Sequence, residues 1–136
     1  MRYLLDTNAC VGVINENPAG IRSRLDRARA KGAEIFVSAI AAFELWYGVM
    51  KSSRQEFNAR RLEAFFSGPI AVLPFDPADS QSAGRIRAAL ETSGQRIGPY
   101  DILMAGQAMR HKLTLVTANV REFGRVAGLS WEDWSI

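Results

Sequence analysis

The sequence contains a single cysteine, Cys10, and a single histidine, His111, among its 136 residues. One cysteine excludes an internal disulfide and a cysteine-rich zinc site. With only one histidine as well, the chain lacks most of the residues that Ser–His catalysis, Cys–His catalysis or a histidine-rich zinc centre requires. His111 lies next to Arg110 and Lys112 at what we interpret as a helix C-terminus, where the helix dipole favours a cation.

Glycine-rich phosphate loops and long apolar runs are also absent. No Gly-x-x-x-x-Gly-Lys-Ser/Thr or Gly-x-Gly-x-x-Gly run occurs, so nothing supports nucleotide binding by a glycine loop. The longest apolar stretch, 35–50, is interrupted by Ser38 and Glu44 and is shorter than the roughly 20 residues of a membrane-spanning helix. The five residues before Asp6 leave no room for a signal peptide. We therefore expect a soluble, cytoplasmic protein.

Carboxylates and arginines are abundant instead. The chain has 17 Lys and Arg against 14 Asp and Glu, a net charge of +3, and 48% hydrophobic residues, which is typical of a globular protein. Its length predicts a single domain over residues 1–136. The basic clusters form either solvated helix faces or a surface that follows nucleic-acid phosphates. They comprise Arg22, Arg24, Arg27, Arg29 and Lys31, and then Arg60, Arg61, Arg85, Arg87 and Arg96.

Short apolar strands alternate with helices along the chain. We predict strands at 3–5, 34–37, 70–73 and 113–116, with a short last strand near 129–131. Helices are predicted directly after Asp6 and at 21–31, 39–51, 55–66, 77–92 and 98–110. Apolar strands that alternate with helices indicate an α/β fold with a mainly parallel sheet, covered on both faces.

Functional groups of such sheets collect beyond the carboxyl ends of the strands. Asp6 directly follows the first strand, where it can cap a helix, although Thr7 or Asn8 would serve equally. Asn119 follows the fourth strand, where it can also form a turn. Both residues are therefore candidates for a site at this edge.

Two further carboxylates lie on predicted helices. No cationic side chain stands three or four positions from Glu44, so it is either exposed or belongs to a metal site or its rim. Asp101 lies in a first helical turn, where the dipole favours a carboxylate. Mg²⁺ and Mn²⁺ prefer such hard oxygen ligands and promote phosphodiester hydrolysis. The sequence thus favours a metal-dependent phosphodiesterase built on Asp6, Glu44 and Asp101.

This pattern resembles the PIN-domain ribonucleases, and specifically the VapC-type toxins of bacterial toxin–antitoxin pairs. The resemblance spans almost the whole chain. It is carried by the segments 3–8 (YLLDTN), 38–48, 97–103 (IGPYDIL), 115–123 (LVTANVREF) and 128–134.

The resemblance implies a three-layer α/β/α sandwich and an endoribonuclease dependent on Mg²⁺ or Mn²⁺. Asp6 and Asp101 would be the principal metal ligands, and Glu44 would bind metal directly or through water, or orient the attacking water. Asn119 stands where many relatives carry Asp, so we expect one firmly bound ion. Glu122 would either supply the negative charge that Asn119 lacks, or lie exposed at the surface or in an ion pair with Arg125.

A homodimer and a cognate antitoxin are also implied, together with an RNA substrate such as a transfer RNA. An antitoxin arginine would compete with metal for the carboxylates. Several aromatic residues either form part of a groove for an apolar antitoxin helix or fill the core. They are Phe43, Trp46, Tyr47, Phe57, Phe65 and Phe66.

Two other functions compete with the nuclease. An aspartyl phosphatase also begins with a strand followed by Asp, but it needs a second Asp two residues later, where this chain has Asn8. A non-catalytic RNA-binding module is compatible with Asn119, but it gains nothing from concentrated negative charge where phosphate must approach.

Overall fold

The structure is a computed structural model that describes residues 1–136. Its five strands are β1 (Arg2–Leu5), β2 (Glu34–Ser38), β3 (Ala71–Leu73), β4 (Thr114–Val116) and β5 (Trp131–Glu132). Its seven helices are α1 (Thr7–Asn15), α2 (Ala19–Ala30), α3 (Ala39–Lys51), α4 (Gln55–Phe66), α5 (Pro77–Thr92), α6 (Pro99–His111) and α7 (Val120–Phe123). The predicted elements are confirmed to within a few residues, and α7 is an addition that the sequence pattern did not indicate.

The five strands form one sheet in the order β3-β2-β1-β4-β5, and every pairing is parallel. Leu5 of β1 is in register with Val37 of β2 and Val116 of β4. The residues that follow these three positions therefore emerge at the same edge of the sheet. This register brings the end of β1, with Asp6, beside the end of β4, with Thr117.

The sheet is covered by helices on both faces, which confirms the mainly parallel, three-layer arrangement. Side chains alternate between the faces along β1: Tyr3 and Leu5 join the larger core cluster, while Leu4 joins the other. The larger cluster includes buried residues of α1, α2, α3 and α4. The second cluster includes buried residues of α5 and α6 together with Phe123.

Close packing fixes the position of α6, the helix that carries Asp101. A Cβ atom at Gly106 would lie 2.7 Å from the backbone nitrogen of Ala83 on α5, so only glycine allows this approach. Gln107, fully buried, donates hydrogen bonds of 3.3 and 3.1 Å to the carbonyl oxygens of Leu73 and Pro74. The helix is therefore held against both α5 and the end of β3.

The far end of α6 contains a buried charge cluster. Asp79 of α5 is fully buried, with Arg110 Nε 3.1 Å and His111 Nε2 3.4 Å from its Oδ1 atom. Its other oxygen accepts a hydrogen bond of 2.9 Å from the backbone of Asp76, as part of the α5 capping box. His111 ends α6 as predicted, and it also contacts a carboxylate that the sequence did not connect with it.

Every helix of this fold is too short or too polar to cross a lipid bilayer.

Candidate active site

Asp6 lies between β1 and α1 and is 4% exposed. The backbone N–H of Ala9 donates a hydrogen bond of 2.7 Å to its Oδ1 atom, so the carboxylate caps α1. Burial raises the pKa of Asp6, and nearby Glu44 and Asp133 add to the rise, whereas hydrogen bonds from Thr117 and Ala9 oppose it. Asp6 therefore combines the capping role with a place in an acidic cluster.

Glu44 faces α1 from the middle of α3. The Thr7 hydroxyl donates a hydrogen bond of 2.6 Å to Glu44 Oε1. The side chain is half-buried and makes no ion pair. The sequence predicted that Glu44 is either exposed or part of a metal site or its rim. Its half-buried position and its bond to Thr7 fit the second interpretation and not the first.

Asp101 lies in the first turn of α6 and is half-buried. Its pKa is raised to about 6, first by burial and then by the negative charges of Asp6, Glu122 and Glu44. The Asn119 side chain opposes this rise. Four carboxylates from four different segments are thus close enough to act on one another.

Asn119 and Glu122 form the β4 side of the site. The backbone N–H of Asn119 donates to Thr117 Oγ1 at 2.9 Å, and its side-chain amide donates to Glu122 Oε2 at 2.6 Å. Arg125 instead donates to the carbonyl oxygen of Arg96. The interpretation of Glu122 as exposed or paired with Arg125 was wrong, because the short helix α7 turns it toward Asn119.

Three polar side chains at this edge were not identified from the sequence as site residues. Thr7 holds Glu44, and the buried Thr117 side chain lowers the pKa of Asp6. Asp133 follows β5 and adds to the negative charge around Asp6. Each of the three residues comes directly after a strand or a helix-capping residue. The rule that functional groups follow strand ends therefore points to them, but it does not say which of these side chains contact one another.

The donor set suits a hard divalent cation. None of the six ion pairs in the chain involves Asp6, Glu44, Asp101 or Glu122, so no protein cation neutralises them. No three Asp, Glu, His or Cys side chains lie close enough together to hold one metal ion among them. Mg²⁺ commonly uses one or two carboxylates and keeps several waters, so part of this cluster is sufficient to hold it.

One cavity extends from the site along the helical surface, and a second adjoins it. The first, of about 300 Å³, lies between α1, α3 and α4 and is lined by Thr7 and Glu44 together with Val11 and Leu62. The second, of about 280 Å³, lies between α1, α2 and α4 and is lined by Leu25 and Phe65 together with basic residues. Ile14 and Arg61 line both cavities, so the two are neighbours.

Part of the arginine clusters has a structural role. Arg24 donates to the carbonyl oxygens of Asp133 and Ile136 and so fastens the C-terminal segment. Arg61 donates to the Ile14 carbonyl and the Asn15 side chain at the end of α1. The sequence predicted that these arginines lie either on a solvated helix face or on a phosphate-binding surface. Instead, Arg24 and Arg61 bind other segments of the chain.

Comparison with known proteins agrees with this geometry. The PIN domain family model matches residues 3–129. The chain is 41% identical over 135 residues to the tRNA(fMet)-specific endonuclease VapC of Shigella flexneri, and the match covers 99% of each. It is 39% identical over 134 residues to ribonuclease VapC2 of Rickettsia felis, with 98% of each covered.

Solved structures give the same result. A chain in the crystal structure of VapBC2 from Rickettsia felis bound to a promoter DNA fragment is similar with a TM-score of 0.92 and 38% identity. That match covers 98% of this chain and 99% of the other. A chain of DNA-bound VapBC from Salmonella typhimurium matches with a TM-score of 0.90 at 38% identity, covering 98% of each. The chain therefore belongs to the PIN-domain family and, within it, to the VapC proteins.

Proposed function

We propose that this protein is a metal-dependent endoribonuclease that acts as the toxin of a toxin–antitoxin pair. The observation that carries the proposal is the half-buried Asp101, whose pKa is raised to about 6 by burial and by three neighbouring carboxylates. A cluster of negative charges without a protein cation is costly unless a cation binds there. VapC relatives of this chain bear the names ribonuclease and endonuclease.

The residues of the site have distinct proposed roles. Asp6 and Asp101 hold Mg²⁺ or Mn²⁺, and Glu44 binds it directly or through water. A divalent ion held there would supply polarisation of the phosphodiester, activation of water and stabilisation of the leaving oxygen. Glu44 orients the attacking water, because the Thr7 hydroxyl fixes its carboxylate. Asn119 contributes an uncharged amide and positions Glu122, so a single ion binds firmly.

The substrate proposed is a transfer RNA, with initiator tRNA as the first candidate. The Shigella flexneri and Salmonella typhimurium relatives are named tRNA(fMet)-specific endonucleases, at 41% and 38% identity. The non-catalytic RNA-binding module is disfavoured by the acidic cluster, since a protein that only binds RNA would place negative charge against its phosphates. We also propose that the protein acts in the cytoplasm, as a hydrolase of ester bonds.

An antitoxin is the proposed inhibitor. Similar structures are VapBC complexes, and here two adjoining cavities lead from α2 and α4 to Glu44. Their apolar lining, which includes Leu25, Leu62 and Phe65, suits the apolar face of a helix. An arginine at the end of such a segment would pair with the carboxylates. We also propose a homodimer, which light scattering of the purified protein tests.

The test of this function compares two transcripts, initiator tRNA and elongator methionine tRNA, incubated with the purified protein and Mg²⁺. We expect a discrete cut in initiator tRNA and at least tenfold slower cleavage of the elongator. Equal cleavage of both transcripts would refute the proposed preference for initiator tRNA but not the nuclease activity. No cleavage of either transcript or of total cellular RNA, by protein shown free of antitoxin, would contradict the nuclease itself.

A further inference from the structure

Two exposed aromatic residues are the chain neighbours of two site carboxylates. Phe43 precedes Glu44 on α3 and is 54% exposed, and Tyr100 precedes Asp101 on α6 and is 43% exposed. Their rings meet edge to face, with centroids 5.7 Å apart and planes inclined by 70°. The pair bridges α3 and α6, whereas the Thr7 contact links α3 to α1.

This placement leaves aromatic surface open to solvent at the rim of the site. About half of each residue's surface stays in contact with water, and exposed aromatic surface is common where a protein binds a partner. An edge-to-face pair is also partly ordered before any ligand binds, so ordering the rings adds little to the cost of binding.

A mixed apolar and polar groove begins at Tyr100. A cavity of about 610 Å³ between α5 and α6 is lined by Tyr100, Pro99, Gln95 and Arg96. Arg87, which also lines it, is paired with Glu91, whereas Arg96 makes no ion pair. Near the N-terminus of α6, the fold therefore combines Asp101, the Tyr100 ring and Arg96, which lines the same cavity as Tyr100 and makes no ion pair.

We infer that Phe43 and Tyr100 stack an unpaired RNA base adjacent to the cleaved phosphate, with Arg96 contacting a neighbouring phosphate. The inference rests on the proposed endoribonuclease function and extends it to substrate recognition. A phosphate held at the carboxylates would leave its nucleoside at the surface between α3 and α6, the two helices that the ring pair bridges. Only an unpaired base can be splayed out and stacked on side chains, so the pair selects single-stranded or loop RNA.

Continuity with the acidic site and the positive charge of Arg96 favour RNA as the occupant of this surface. A second copy of the chain is the competing occupant, because Tyr47 and Met50 extend the exposed apolar face along α3. Tyr47 lies one turn further from Glu44 and contacts Lys51 through its ring. It therefore provides a matched control: it belongs to the apolar face but not to the aromatic pair.

The test measures binding of a fluorescein-labelled 12-mer of uridine by anisotropy, with Ca²⁺ in place of Mg²⁺ so that a cation can hold phosphate at the carboxylates while cleavage is suppressed. A 12-mer of abasic tetrahydrofuran spacers supplies the same phosphates without bases. We expect Tyr100→Ala to bind the uridine 12-mer about five- to tenfold more weakly, and Tyr100→Phe to bind it normally. Tyr47→Ala should bind as the parent does, and all variants should bind the spacer 12-mer equally.

Cleavage of RNA in Mg²⁺ provides the second readout, with Tyr100→Ala raising KM about five- to tenfold at nearly constant kcat. Unchanged uridine binding by both Tyr100→Ala and Phe43→Ala would overturn the inference. The inference would also fail if Tyr47→Ala weakened uridine binding as much and light scattering showed that all three variants dissociate. The exposed apolar face of α3 would then be an interface between two copies of the chain. Absence of cleavage by the parent protein would refute the proposed function but leave the binding comparison decisive.

Discussion

The Thr7 hydroxyl donates a hydrogen bond of 2.6 Å to Glu44 Oε1 and so links the start of α1 to the middle of α3 across the acidic site. No cation pairs with Glu44. The hydroxyl is therefore the contact that fixes where this carboxylate points, while Asp6 in the preceding position caps the same helix.

Replacing Thr7 by valine removes the hydroxyl at nearly constant volume. We expect kcat for RNA cleavage to fall by about tenfold to a hundredfold, because Glu44 is no longer held in place. Thr7→Ser keeps the donor and should retain most of the activity. Single-turnover cleavage measures both variants, and a Thr7→Val enzyme as fast as the parent would leave Glu44 positioned by some other group.

Asp101→Asn should stabilise the metal-free protein while removing its response to metal. Between the ordinary pKa of Asp, about 4, and the raised value of about 6, the folded state keeps a proton that the unfolded state has lost. The free energy of unfolding therefore falls as pH rises through this window and stays low above it. The amide avoids this loss, so the variant should melt at a higher temperature at pH 7 in chelator.

Thermal melting from pH 4 to pH 8, with chelator and with Mn²⁺, tests this prediction. Mn²⁺ should stabilise the parent strongly and the variant weakly, since the ligand is gone. Some pH dependence should remain in the variant, because burial also raises the pKa of Asp6. A variant that melts below the parent at pH 7 in chelator would show that the carboxylates do not repel one another as described.

Restoring aspartate at position 119 should tighten metal binding. Asn119→Asp adds a hard oxygen ligand and a negative charge next to Glu122, at the loss of the amide that donates to it. We expect higher Mn²⁺ affinity by calorimetry at pH 8 and lower stability in chelator. Equal or weaker Mn²⁺ affinity would mean that the Asn119 amide promotes metal binding by positioning Glu122 more than it weakens binding by lacking a negative charge.

The cluster at the far end of α6 should matter for stability and not for catalysis. Asp79→Asn removes a buried charge from Arg110 and His111 and should cost about 2–3 kcal/mol in free energy of unfolding. Glu91→Gln, which breaks the exposed pair with Arg87, should cost less than about 1 kcal/mol. Denaturant unfolding measures both, and a large loss of kcat in folded Asp79→Asn would tie the cluster to the site.

Local sequence patterns predicted the framework of the site. Apolar β1 and β4 predicted the parallel sheet, and the strand-end rule placed Asp6 and Asn119 at one edge. Glu44 and Asp101 were identified from helical context, but their convergence became evident only when α3 and α6 were packed.

Contacts between distant segments could not be predicted from the sequence. Arg24 bonds carbonyl oxygens 109 and 112 residues away, and nothing in its own cluster distinguishes it from its neighbours. Glu122 joins the site because α7 is a short helix that turns it onto Asn119, and Asp133 does so because β5 pairs with β4. Such placements depend on the whole fold.

The central claim is that Asp6 belongs to a metal-dependent site that cuts RNA, and Asp6→Asn tests it most directly. Asparagine is as good a helix cap as aspartate, so the variant keeps α1 while losing the charge. Parent and variant would be incubated with total cellular RNA in Mg²⁺, in Mn²⁺ and in chelator. We predict discrete RNA fragments from the parent only, and only with metal. Cleavage that persists in chelator, or in a folded Asp6→Asn variant, would contradict the account.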